Sequence, residues 1–251
     1  MLNIVRTQTH HRRAPTSIAA LLRPAAAHHY YSPSRTLPRP SIIGSTPFLR
    51  VRTMMATPLN PLTDAVAKDH QEMYDYYDNY MKSKGDPAVQ QRWANQLLWE
   101  VSRHAVGEEL VIYPLMEKHL GAEGLKLADG DRKDHQFVKE SMYKLESMTV
   151  GTAEYDNRLK EVMAELRRHN DSEEKNDLPL LAAKIGASGA QDAAARFKRT
   201  KKFAPTHPHP SAPDKPPYET LAGFMSAPID KLRDMFEQFP TEEDKQNAAR
   251  N

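Results

Sequence analysis

Glu100-Val101-Ser102-Arg103-His104-Ala105-Val106-Gly107-Glu108-Glu109, followed by Pro114-Leu115, has a counterpart 65 residues on in Glu165-Leu166-Arg167-Arg168-His169-Asn170-Asp171-Ser172-Glu173-Glu174, followed by Pro179-Leu180. Lys68-Asp69-His70 recurs at the same offset as Lys133-Asp134-His135. Glu-x3-His-x3-Glu-Glu-x4-Pro-Leu therefore occurs twice, each time with its histidine 34 residues after that of a Lys-Asp-His. So many matching polar positions at one offset point to a duplicated helical hairpin.

The spacing within each copy is helical. Ala94, Leu97, Val101, His104 and Glu108 step by three and four, as do Leu159, Val162, Leu166, His169 and Glu173. Val66, His70, Met73/Tyr74, Tyr77 and Met81 form a third stripe, and His135, Val138, Met142 and Leu145 a fourth. Each is the apolar face of an amphipathic helix turned to a core. Breaks fall at Gly85-Asp86-Pro87, at Gly121 to Gly124 and at Gly151-Thr152. The fold expected is all-α, an antiparallel up-down-up-down four-helix bundle over residues 60–185.

In such a bundle, residues equidistant from a turn stand at one height on neighbouring helices. The midpoint of His70 and His104 is residue 87, that of His135 and His169 is residue 152, and that of His104 and His135 adjoins Gly121. Each histidine is then ~25 Å from its turn at ~1.5 Å rise per residue. All four share one layer and point inward, and Glu108 and Glu173 lie one turn on, on the same faces. No lysine or arginine shares these stripes near the layer, and burying unpartnered carboxylates costs several kcal/mol, roughly. A metal pair would neutralise them and keep the imidazoles ligating. Imidazole and carboxylate without thiolate suit iron, manganese or zinc. Four histidines and two carboxylates exceed what one tetrahedral zinc needs, and shared between two ions they favour a dinuclear iron site. The Glu-x-x-His of ferritin-like di-iron bundles is absent.

These residues resemble the hemerythrin-like HHE cation-binding family, in which a histidine on one helix is followed by His-x3-Glu-Glu on the next, and the pair repeats. The resemblance spans about residues 60–185 through His70, His104 to Glu109, His135, and His169 to Glu174. It implies a non-haem di-iron centre able to bind oxygen, with His70, His104 and Glu108 serving one iron and His135, His169 and Glu173 the other. Either glutamate is a candidate to bridge. Oxygen-carrying hemerythrins have a second histidine one turn after the third-helix one, where this chain has Lys139, which counts against reversible carriage. Their last carboxylate, five residues after its histidine, would select Glu174, whereas internal symmetry selects Glu173.

Neighbouring residues carry expectations of their own. Glu100 and Glu165, one turn before their histidines, stand either behind the ligand rings or at the core's edge. Glu109 and Glu174 are turned about 140° away and belong at the surface or behind the ligands, unless the following proline distorts the helix. Tyr74 and Tyr77 suit core packing more than a gate. His119 caps a helix end, and His207 and His209 read as incidental in a Pro-rich linker.

Residues 1–53 hold eight arginines and no lysine, aspartate or glutamate, leaving the rest of a +2 chain at 27 basic against 33 acidic residues. An acid-free, Arg-rich start has the composition of a mitochondrial transit peptide over residues 1–55. Met54 and Met55 offer alternative starts that would leave the protein cytoplasmic. The acidic body argues against nucleic-acid binding, no apolar run is long enough to span a membrane, and the lack of cysteine excludes disulfides and iron–sulfur ligation. Residues 186–251 form an extension: a short helix Gln191–Phe197, a solvated basic cluster (Arg196, Lys198, Arg199, Lys201, Lys202), a Pro-rich stretch, and two short helices whose face Ile229, Leu232, Met235, Phe236, Phe239 is expected to pack back on the bundle. Function then reads first as a hemerythrin-like di-iron protein binding oxygen or a related diatomic ligand. A di-iron oxidoreductase acting on oxygen or peroxide is the rival, and a zinc-stapled interaction protein the third reading.

Overall fold

A computed structural model describes residues 60–250, and the basic N-terminal stretch expected to be a transit peptide, with Met54 and Met55, lies outside the described residues. The regular structure described is all helical, as the periodicity requires: α1 (Pro61–Lys82), α2 (Pro87–Leu120), α3 (Ala122–Glu146), α4 (Ala153–Ser172), a π-helical turn (Glu173–Asp177), α5 (Leu178–Lys201), α6 (Tyr218–Asp234) and α7 (Glu242–Arg250). The starts are capped by residues suited to it. The Asn60 side chain accepts from the Leu62 N–H, Asp86 from Ala88 and Val89, and Thr152 from Tyr155, with proline opening α1 and α2. The α2–α3 connection is a single residue, Gly121, at φ 63°. Gly124 lies inside α3, where a Cβ would come 2.0 Å from the Met116 carbonyl oxygen. So tight a reversal needs both glycines.

α1 packs on α2, α2 on α3, α3 on α4 and α4 on α1, closing an antiparallel bundle. Its core is in two halves. One gathers Met73, Leu97, Val101, Val138, Met142, Leu159, Val162 and Leu166. The other gathers Val66, Val111, Ile112, Tyr113, Met116, Ala128 and Leu178. Along α1, α2 and α3 the histidine falls between a residue of one half and a residue of the other, and His169 falls between Leu166 and Leu178 beyond the π-helical turn, so the polar layer is sandwiched between two apolar plugs. Each buried Leu, Ile or Met contributes about 1.5–3 kcal/mol.

The C-terminal part departs from expectation in three places. The chain bends at Gly186 and continues as helix to Lys201, well beyond Gln191–Phe197. This stretch packs on α1 and α2 and places Ala190, Ala193, Ala194 and Phe197 in the second half-core. Lys201 of the basic cluster is buried and forms ion pairs with Asp69 and Glu100, while its four companions are exposed. The two short helices form one, α6, whose Ile229 and Leu232 face outward, as do Met235 and Phe236 just past its end. Its roll is set instead by the fully buried Asp230, which accepts from the Thr206 and His207 backbone N–H groups and lies 2.9 Å from His209 Nε2. Satisfying a buried carboxylate outweighs burying one more apolar stripe. Phe239, beyond the helix, does pack on the bundle, edge-on to Trp99.

Candidate metal centre

The six residues singled out by the repeat converge, all of them buried. His70 Nε2 stands 3.0 Å from His104 Nε2, and His135 Nε2 stands 3.2 Å from His169 Nε2. Glu108 lies between these pairs, with Oε1 2.9 Å from His104 Nε2 and Oε2 3.3 Å from His135 Nε2. Glu173 reaches across in the mirror sense, its Oε2 3.8 Å from His70 Nε2. Each glutamate thus approaches a histidine of the other hairpin.

The outward nitrogens follow the same two-fold pattern. His70 Nδ1 is 2.7 Å from Glu174 Oε1, and His135 Nδ1 is 3.0 Å from Glu109 Oε1. His104 Nδ1 is 3.2 Å from Asp69, and His169 Nδ1 is 3.5 Å from Asp134. All four carboxylates belong to the duplicated motif. A carboxylate that accepts from Nδ1–H fixes the tautomer and leaves the Nε2 lone pair directed inward. Glu109 is therefore buried behind His135, and Glu174, a third exposed, stands behind His70. Pro179, which cannot donate to the residue 175 carbonyl, follows the π-helical turn that sets Glu174's direction.

Several buried atoms of the layer have close neighbours but no aligned hydrogen bond: Glu108 Oε1, both oxygens of Glu173 and His169 Nδ1. Each such atom costs about 1–3 kcal/mol. Burial, reinforced by the Glu108 charge, pushes the Glu173 carboxyl well up, and burial brings His70 down to about 4. Burial also opposes a charge on His104 and His135, yet carboxylates override it. Glu108 and Asp69 lift His104 to about 9, and Glu108 with Glu109 lift His135 to about 9. A site that draws positive charge this strongly suits a cation. Two nitrogens ~2.1 Å from one ion stand roughly 3.0 Å apart at a right angle and roughly 3.4 Å at a tetrahedral one, which brackets the separations of both histidine pairs. The residues present fit a metal.

The profile of the Hemerythrin HHE cation binding domain matches residues 61–181. An uncharacterised hemerythrin-like protein of Schizosaccharomyces pombe is 47% identical over 193 residues, covering 77% of this chain and 94% of the relative. The chain belongs to the hemerythrin HHE cation-binding family. Nothing matches among solved structures.

Within this hemerythrin-like bundle, sequence reasoning passed over several residues. Glu100 and Glu165 do not touch the histidines: Glu100 pairs with Lys201 and Arg103, and Glu165 with Arg168. Asp69 and Asp134 do that work, and their presence in both copies of Lys-Asp-His was the available signal. Lys139, the residue standing in for the carrier's extra histidine, closes on Glu109 at 2.5 Å. Among the described residues, no lysine or arginine pairs with Glu108 or Glu173.

The tyrosine in the layer is Tyr113. Its hydroxyl is 3.0 Å from His135 Nε2 and 3.5 Å from Glu108 Oε2. Tyr74 instead accepts from Asn170, and Tyr77 only packs on the core. At the repeat offset Tyr113 corresponds to Leu178, and Asp131 and Asp177 correspond to Val66 and Ile112. One side of the layer is therefore more polar than the other. Burial, with Asp177 adding repulsion, pushes Asp131 up to about 7, and burial pushes Asp177 up to about 6. Phe197 covers the opposite side, edge-on to His104.

Proposed function

We propose that this layer is a dinuclear centre with iron as resident metal, and that it binds dioxygen or a related small diatomic ligand. His70 and His104 would hold one ion and His135 and His169 the other, with Glu108 shared and Glu173 completing the set. The placement of Glu108, one oxygen against each histidine pair, carries this reading. Six imidazole and carboxylate donors without thiolate suit iron, and divided between two ions they leave positions free for a ligand. Bound there, iron supplies an open coordination position and redox chemistry.

The chain's own residues do the rest. Glu174, Asp69 and Glu109 orient the His70, His104 and His135 rings with Asp134 beside His169, the two apolar half-cores exclude water, and Tyr113 holds a hydroxyl proton beside His135 and Glu108. That proton favours the second reading, an oxidoreductase acting on dioxygen or peroxide, because it is a donor at the layer itself. Metal analysis of the purified protein, with absorption spectra taken anaerobically and then in air, tests the first reading. Iron with an oxygen-dependent spectrum is expected, and zinc alone would overturn it. Peroxide turnover lost in both His104→Ala and Tyr113→Phe would select the oxidoreductase. Residues 1–55 read as a mitochondrial address: a fusion of residues 1–60 to a fluorescent protein should localise there, and diffuse cytosolic signal would overturn that.

A further inference from the structure

His207, in the Pro-rich linker, is 2% exposed and sits where the extension meets the bundle. Its Nδ1 is 2.5 Å from Glu146 Oε1 in the last turn of α3. Its Nε2 points at two more carboxylates, 3.2 Å from Asp234 Oδ1 at the end of α6 and 3.8 Å from Glu237 Oε1 just beyond. Neither Nε2 nor Asp234 Oδ1 is aligned for a hydrogen bond, and both are buried without any partner. Arg233, 3.3 Å from Glu146 Oε1, is the cation in contact with the cluster. Three carboxylates against one guanidinium leave an excess of two negative charges around the imidazole.

We propose that His207 Nε2, Asp234 and Glu237 form a second cation site, selective for a divalent ion of the zinc class and separate from the bundle centre. Donors bound to one ion at ~2.0–2.2 Å stand roughly 3 to 4 Å apart, as both carboxylates do from His207 Nε2, and all three ligand atoms lie within 4.8 Å of one another. One imidazole with two carboxylates is a zinc-type set that leaves a further position for water. Glu146 plays the part that Glu109 plays for His135, accepting from Nδ1–H so that the Nε2 lone pair faces the ion. The ion would tie three segments, the linker after α5, the end of α6 and the stretch before α7, to α3. In a chain without cysteine, it is a staple no disulfide can supply.

The test is calorimetric titration of Zn2+ into the full-length protein as purified, with the bundle metal content measured in parallel. Wild type should take up one Zn2+ per chain beyond the bundle content. Asp234→Asn and Glu237→Gln, on the more exposed side, should each weaken that uptake at least tenfold without changing bundle metal or the circular dichroism spectrum. His207→Ala should abolish it, and Glu146→Gln should weaken it tenfold to a hundredfold. With Co2+ as probe, the visible bands should be present in wild type and lost in Asp234→Asn. Wild-type protein that takes up no extra ion, or extra uptake unchanged in Asp234→Asn and Glu237→Gln, would overturn the proposal. Dependence on Asp234 rather than His104 separates its failure from that of the bundle centre.

Discussion

Replacing Glu109 by leucine removes two interactions that can be measured apart. Glu109 is wholly buried and serves both the His135 ring at 3.0 Å and the Lys139 ammonium at 2.5 Å. Deleting one partner of a buried ion pair strands the other charge, at about 3–5 kcal/mol. At roughly 2–4 °C per kcal/mol for a chain of this size, the metal-free protein should lose about 6–20 °C in Tm. Losing the carboxylate behind a ligand histidine separately lowers metal affinity about 10–100-fold. The double variant Glu109→Leu/Lys139→Met divides the two effects, since exchanging the whole pair for apolar groups is close to neutral for stability. Its Tm should return towards wild type while its Fe2+ affinity stays low. The symmetry mate Glu174→Leu should show the affinity loss with a stability change on the order of 1 kcal/mol or less, because Glu174 is a third exposed and, among the described residues, pairs only with His70. Thermal unfolding of chelator-treated protein and anaerobic competition for Fe2+ are the assays. A double variant that regains full affinity together with its stability would refute the assigned role of Glu109.

Three further outcomes follow from single contacts. Gly107→Ala places a methyl 2.8 Å from Phe197 and 3.1 Å from Lys201, so overpacking should cost about 1–3 kcal/mol, read as a lowered Tm; an unchanged Tm would mean α5 does not press on α2 as described. Tyr113→Phe should keep the metal content but weaken azide binding roughly tenfold or more, the value of one hydrogen bond to a charged group; unchanged azide affinity would remove Tyr113 from the ligand pocket. The paired hydrogen bonds from Arg92 hold Asp244 below the usual carboxylate range. A depressed carboxyl stabilises above its unfolded pKa and ceases to do so as pH falls through its folded one. α7 should therefore stay docked at neutral pH and be released to proteases in strong acid, whereas Arg92→Ala should release it already at pH 7. Equal protection of α7 in both proteins would refute that docking contact.

What could be read from the sequence was whatever depends on local period and on distance from a turn. The stripes through His70, His104, His135 and His169, and their common height, need only the helical repeat and the positions of Asp86, Gly121 and Thr152. Reach between helices is another matter. Whether Glu109 meets His135 depends on the roll of α2 against α3, and Glu174 meets His70 with a π-helical turn beneath it, so angles on an ideal helix left the surface and a place behind the ligands both open. Glu100 was misjudged because its partner, Lys201, lies 101 residues away. The outward roll of α6 follows from Asp230 capturing backbone donors of the linker, a tertiary contact with no periodic trace. Four outer carboxylates were nevertheless marked in advance by recurring in both copies, a signal stronger than the angle argument set against it.

The central claim is that Glu108 joins two metal ions held by two histidine pairs. X-ray absorption at the iron edge, with metal counted per chain, tests it most directly. Two irons per chain with metal–metal scattering at or below about 4 Å, and loss of that scattering in Glu108→Ala, are the results expected. One ion per chain, or a metal–metal signal that survives in Glu108→Ala, would contradict it.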